Sequence, residues 1–348
     1  MSYALTARAA LFTLAAALPL TTPAQAAANT HCAESSMTLP PGALYPNGIA
    51  RAADGTLYVG LITSGNVLRK RPGKAWETFF PGADTVFASN ALRLDERRGL
   101  LWGNSPDFLS GGKSRANRIY ALNVADGTLN RSLALPTGEM GNDIVLGTDG
   151  TVYVTETRGG GILRLRPGEA AFSTLFQDAR LAAPSGLGAA GIVLLDDRLM
   201  AVANFGTGKL YTLSYHDPKP QLTEMQLPRL IENPDGMGLA PDGALIVLEN
   251  GIQSGQGRIL RIALPKATGM HRIEVLREGM ESPVNLTITP QGCAFVSESR
   301  IRHRLLPGHE TEVPDSFRIY QLPLPLTAAH NLYAASAGGH SRCIVNIQ

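Results

Sequence analysis

A single pattern recurs six times along this chain, and any fold proposed for it has to repeat as well. The pattern is two apolar stretches joined by a tight turn. YPNGIARAADGTLYVG, GNDIVLGTDGTVYVTE, NPDGMGLAPDGALIVLEN and SPVNLTITPQGCAFVSE are clear copies; SNALRLDERRGLLWGN and AAGIVLLDDRLMAVAN are weaker ones. At the head of the first stretch stand Asn47, Asn90, Asn142, Ala190, Asp235 and Val284, at intervals of 43, 52, 48, 45 and 49 residues. The turn begins seven residues further on, as Asp54 and Gly55, Asp149 and Gly150, Asp197 and Arg198, Asp242 and Gly243, or Gln291 and Gly292, with Arg97, Arg98 and Gly99 in the second copy. Asp-Gly between alternating apolar runs is a strong hairpin signal, because glycine takes positive φ without steric cost.

Each hairpin is followed by a third alternating stretch, at 66–71, 117–124, 161–166, 209–215, 258–264 and 317–322. A poorer fourth strand fits before the next copy. Four strands every 40 to 50 residues predict an all-β chain folded as a six-bladed β-propeller with four-stranded blades. The segment SSMTLPPGALYPNG resembles the fourth-strand stretch EMQLPRLIENPDG, so the N-terminus is expected to supply the outer strand of the last blade and close the ring.

Composition agrees: 348 residues, 44% apolar and 17% charged, with a net charge of +2, describe a globular protein with an ample core and no electrostatic case for nucleic acid. The opening MSYALTARAALFTLAAALPLTTPAQA has a basic start, a short apolar run and small residues at Ala24 and Ala26, the pattern of a secretory leader cut near Ala26. That leaves 27–348 as one domain, exported to the periplasm of a bacterial host or secreted, without a membrane anchor and expected as a monomer. Cys32, Cys293 and Cys343 then allow one disulfide, which the sequence does not assign to a pair. Cys32 and Cys343 lie near the ring closure and Cys293 in the last blade.

In a propeller the inner strand lines the channel and the second runs antiparallel beside it, so inner-strand starts and second-strand ends emerge on one face. Asn47, Asn90, Asn142, Asp143, Asp235 and Asn285 occupy the starts; Asn104, Glu156, Asn204, Glu249, Asn250 and Glu298 occupy the ends. Singly, such residues more often cap turns than bind anything. Together they form an oxygen-rich ring suited to a hard dication such as Ca²⁺, with Mg²⁺, Mn²⁺ or Zn²⁺ as alternatives, and such an ion beside an aspartate base opens esters and lactones. No nucleophile-elbow sequence occurs, and His303 and His309 read as surface residues of a basic loop that also carries Arg300, Arg302 and Arg304.

These residues resemble the gluconolactonase and senescence-marker-protein (regucalcin) family of propellers. The resemblance implies one channel metal held by a first-blade Glu, Asn residues of middle blades and an Asp in Pro-Asp-Gly that acts as base in lactone opening. Asp235 in Pro234-Asp235-Gly236 matches that Asp, and Asn142 matches the third-blade Asn. Asn47 stands where the Glu would be, and Ala190 where the fourth-blade Asn would be. Asn47, Asn90 and Asn285 then serve as further ligands or substrate hydrogen-bonders, while Asp143, Glu156, Asn204, Glu249 and Glu298 face a lactone or ester substrate. The competing expectation is a non-catalytic propeller of the NHL type that binds a small ligand or a protein partner at the same mouth.

Overall fold

A computed structural model describes residues 32–109, 114–183, 186–216, 218–264 and 269–325. The leader at 1–26 and Cys343 lie outside them. Six four-stranded antiparallel sheets form the blades of a propeller. The inner strands are Pro46–Arg51, Leu92–Asp95, Gly141–Leu146, Ala189–Leu194, Pro234–Leu239 and Pro283–Ile288. All six third strands expected from the sequence are present, from Val67–Lys70 to Arg318–Pro323.

The last blade closes as anticipated. Its outer strand is Ser35–Thr38, paired antiparallel with Arg318–Pro323 so that Ser35 faces Gln321 and Thr38 faces Arg318. Every other blade takes all four strands from one continuous stretch of chain, so this exchange is what turns a row of blades into a ring. A disulfide joins Cys32 to Cys293 across 261 residues and holds the exchanged segment to the second strand of the same blade.

Burial follows the radial order of the strands. The second strands Leu57–Leu61 and Leu245–Glu249 are buried throughout, whereas Ser35–Thr38 is mostly exposed. Apolar side chains of adjacent blades interdigitate. Ile162 of the third blade packs in one cluster with Ile192, Met200 and Val202 of the fourth, each fully buried, and burying such a side chain contributes about 1.5–3 kcal/mol. Around the axis the inner strands approach until only glycine fits. A Cβ on Gly191 would lie 2.0 Å from the Asp235 carbonyl oxygen, and one on Gly236 would lie 2.6 Å from that of Val284.

One irregularity shapes the channel. Pairing between the first and second strands slips between Pro46 and Ile49, and at matching places in blades three, four, five and six. Such bulges leave residues unpaired and re-aim them. Here they sit at the strand starts, on the face where the sequence gathers its amides and carboxylates. No helix among the described residues is long and apolar enough to cross a membrane.

Candidate functional site

The bulged strand starts stack in two levels. The upper level is Asn47, Asn90, Asn142, Ala190, Asp235 and Val284, and all but Ala190 line one pocket of about 70 Å³. Its floor is polar and its wall is not. Phe108, Leu187, Phe205, Ile252, Ile301 and Leu305 rise around the ring, so the loops at 104–117 and 298–316 both contribute to the mouth.

Within the floor the polar groups differ in how committed they are. Asn90 Nδ2 donates to the Asn142 carbonyl at 2.7 Å. The side-chain amides of Asn47 and Asn142 make no hydrogen bond to another described residue and are free to meet a ligand. Asp235 Oδ2 accepts from Asn250 Nδ2 at 2.9 Å, and Asn250 Oδ1 is buried without a partner among the described residues. Burial pushes the Asp235 carboxyl up to about 7; the Asn250 amide pulls it down, the nearby Asp143 charge raises it and the Gly236 N–H lowers it. A carboxyl that titrates there is matched to proton transfer at neutral pH.

The lower level holds Gly48, Ala91, Asp143, Gly191, Gly236 and Asn285, so only two of its members have polar side chains. Both are tied to a residue that the sequence reading missed. Arg93, on the second blade's inner strand, sends Nη2 to Asp143 Oδ1 and Oδ2 at 2.8 and 3.0 Å and Nη1 to Asn285 Oδ1 at 2.9 Å. This crossbar spans the channel beneath the pocket, and below it Ala50, Val145, Val193 and Thr287, with Arg51 and Arg93 itself, line a second cavity of mixed polarity on the other face. Asp143 is almost fully enclosed; burial pushes its carboxyl up, although Arg93 pulls the other way. The signal for Arg93 was in the alignment. At that position the six copies read Ala50, Arg93, Val145, Val193, Gly238 and Thr287, with one charge among small or apolar residues.

The second-strand ends do something else. Glu156 Oε1 accepts the Met140 N–H at 3.1 Å, Glu249 Oε1 that of Glu232 at 2.8 Å and Glu298 Oε1 that of Glu281 at 2.8 Å. Asn104 Oδ1 accepts the Ala91 N–H at 2.6 Å, and Asn204 donates to the carbonyls of Arg180 and Ala182. In five blades, then, this residue latches the second strand to the segment that enters the inner one. Glu249 also pairs with Arg229 at 2.6 Å and Arg258 at 3.2 Å, and despite burial the Arg229 hydrogen bond leads in holding its carboxyl below the usual range. Glu156, Asn204, Glu249 and Glu298, expected to face substrate, are not among the residues lining the pocket, and neither is Asp143. Asn250, the first residue beyond the second strand Leu245–Glu249, is the one that reaches Asp235.

The same geometry tests the expected metal. Asn285 Oδ1 already accepts from Arg93 and from the Leu286 N–H, and Ala190 offers no side-chain donor. What remains is one carboxylate, Asp235, with the amides of Asn47, Asn90 and Asn142, above a guanidinium. Affinity for a hard dication depends on the count of charged ligands, and this donor set does not fit a tight Ca²⁺ site. His303 is a second departure from expectation, since it is buried rather than on the surface.

No family model matches this sequence, and no curated protein matches it. Solved structures do. A gluconolactonase from Xanthomonas campestris superposes with a TM-score of 0.59 at 15% identity, over 83% of this chain and 90% of that one. A virginiamycin B lyase from Staphylococcus aureus gives 0.54 at 15%, over 83% and 99%. A luciferin-regenerating enzyme gives 0.59 at 12%, over 84% and 96%. At such identity these are likenesses of fold.

Proposed function

We propose that this protein is a hydrolase that opens a lactone or related ester at the channel mouth, with Asp235 as general base. The observation that carries this reading is one half-buried carboxyl, anchored by Asn250, at the polar centre of an apolar-walled pocket. A substrate carbonyl seated over the ring would meet the free amides of Asn47 and Asn142, whose N–H groups are suited to an oxyanion as negative charge develops. Asp235 would take the proton from an attacking water and return it to the leaving oxygen. The wall of Phe108, Leu187, Phe205, Ile252, Ile301 and Leu305 favours a lactone with an alkyl or aryl body over a bare sugar lactone. One of the solved structures with this fold is named as a gluconolactonase, which supports a lactone as the substrate class.

The leader pattern and the Cys32–Cys293 disulfide together support an exported protein working in the periplasm or outside the cell. The test is a hydrolysis panel of alkyl, aryl and sugar lactones with chelator-treated protein. Turnover of an apolar lactone that survives chelation and falls roughly 10²-fold or more in Asp235→Asn is the expected result. Turnover unchanged in Asp235→Asn, or none across the panel, defeats the catalytic reading and leaves the ring as a ligand-binding mouth of the NHL kind.

A further inference from the structure

Away from the channel floor, the loop between the second and third strands of the last blade folds back on itself around the short helix Arg302–Leu305. His303 on this helix is only 3% exposed, and His309 and Glu312 close over it. Glu312 Oε2 lies 2.9 Å from His309 Nδ1 and 3.7 Å from His303 Nδ1, and one ligand atom from each of the three residues can be chosen so that all lie within 4.8 Å of one another. The His309 carbonyl oxygen lies 3.2 Å from the same His303 nitrogen.

Another carboxylate faces the other side of the His303 ring. Nε2 is 2.8 Å from Glu281 Oε1, though not aligned well enough to form a hydrogen bond, and Glu281 is itself held by Arg302 at 3.3 Å. With the ring proton on Nδ1 the imidazole donates to the His309 carbonyl; with the proton on Nε2, facing Glu281, it leaves a lone pair on Nδ1. Nδ1 then points at a carbonyl oxygen and a carboxylate, both of which are electron-rich. That lone pair and the two oxygens beside it are three donor atoms that a cation can bridge. A carboxylate behind a ligating histidine is the usual outer partner of a metal-bound imidazole.

We propose that His303, His309 and Glu312 bind a dication of the zinc class, with Glu281 orienting His303 from behind. Two imidazoles and one carboxylate suit Zn²⁺, which takes nitrogen and oxygen ligands at about 2.0–2.2 Å in a tetrahedron, better than Ca²⁺, which wants oxygen alone. Ligand atoms around such an ion sit roughly 3.3 Å apart. Small movements of His309 and Glu312, which are 30% and 50% exposed, reach that spacing. Ile301 and Leu305 flank His303 and line the catalytic mouth, so metal at this site stiffens part of the pocket wall. The site is separate from Asp235 and does not depend on the hydrolase reading.

The experiment is titration calorimetry of Zn²⁺ into chelator-treated protein, repeated with Co²⁺ to read the absorption bands of a tetrahedral site, for the parent and for His309→Ala, Glu312→Gln and Asp235→Ala. Both loop substitutions are at partly exposed positions, and unchanged metal-free melting confirms that each variant folds. Expected are one saturable site, affinity weakened roughly tenfold or more in His309→Ala and in Glu312→Gln, and no change in Asp235→Ala. Zn²⁺ should also raise the melting temperature of the parent but not of His309→Ala. Absence of saturable binding at millimolar Zn²⁺, binding indifferent to both loop substitutions, or binding lost only in Asp235→Ala overturns the proposal.

Discussion

Replacing Asp235 by Asn should make the protein more stable at neutral pH. The substitution keeps the size and shape of the side chain and lets Asn250 keep a carbonyl oxygen to donate to, but it removes a carboxyl that burial has pushed from 3.8 to about 7. An acid with a raised folded pKa holds its proton more tightly in the native state than in the unfolded chain. Its protonated form therefore costs nothing below pH 4, and stability is lost as pH rises through the interval between the two values. That interval is about three pH units, equivalent to about 4 kcal/mol at its full extent. Water reaching Asp235 through the pocket reduces this, and a gain of about 2–4 kcal/mol in Asp235→Asn at pH 7 is the expected figure. Urea unfolding of both proteins from pH 4 to pH 8.5 measures it. The two curves should coincide near pH 4, diverge up to pH 7 and then run parallel. A variant less stable than the parent at pH 7, or a difference that does not vary with pH, would show that Asp235 is ionised in the folded protein and that the ring is organised around some other charge. Gained stability together with lost hydrolysis would mark Asp235 as a residue kept for function.

Two further predictions rest on the crossbar and the closure. Arg93→Met leaves the nearly enclosed Asp143 without its cation and should cost about 3–5 kcal/mol in chemical denaturation, with the double variant Arg93→Met, Asp143→Asn recovering most of it. Because the Asp143 carboxyl is already raised, the loss should shrink as pH falls toward 4; a loss below about 1 kcal/mol would mean the crossbar is solvated. Cys32→Ser should lower stability by about 2–4 kcal/mol and expose the Ser35–Thr38 strand to early proteolysis, and equal protease resistance in parent and variant would show that strand pairing alone holds the closure.

Much of this architecture was legible in the chain because a propeller writes its structure locally. Each blade is a hairpin plus two antiparallel neighbours, so Asp-Gly turns and alternation of period two place nearly every strand, and six copies count the blades. The repeat also located the mouth, since inner-strand starts must converge on the axis; Asn47, Asn90, Asn142 and Asp235 do line one pocket. What the repeat could not show is which of two neighbouring polar residues turns inward. Glu249 ends its strand and Asn250 is the first residue beyond it, yet one latches the strand and the other bonds Asp235, because side-chain direction changes from one residue to the next. Arg93 joins residues 50 and 192 positions away in sequence, and His303 meets Glu281 and Glu312 only once its loop is folded. The chain alone therefore determined the number of blades, their closure and the face that gathers the polar strand starts into one pocket. Tertiary structure decided which side chains are free there, because a polar atom's commitment depends on partners that are brought near it only by closing the ring.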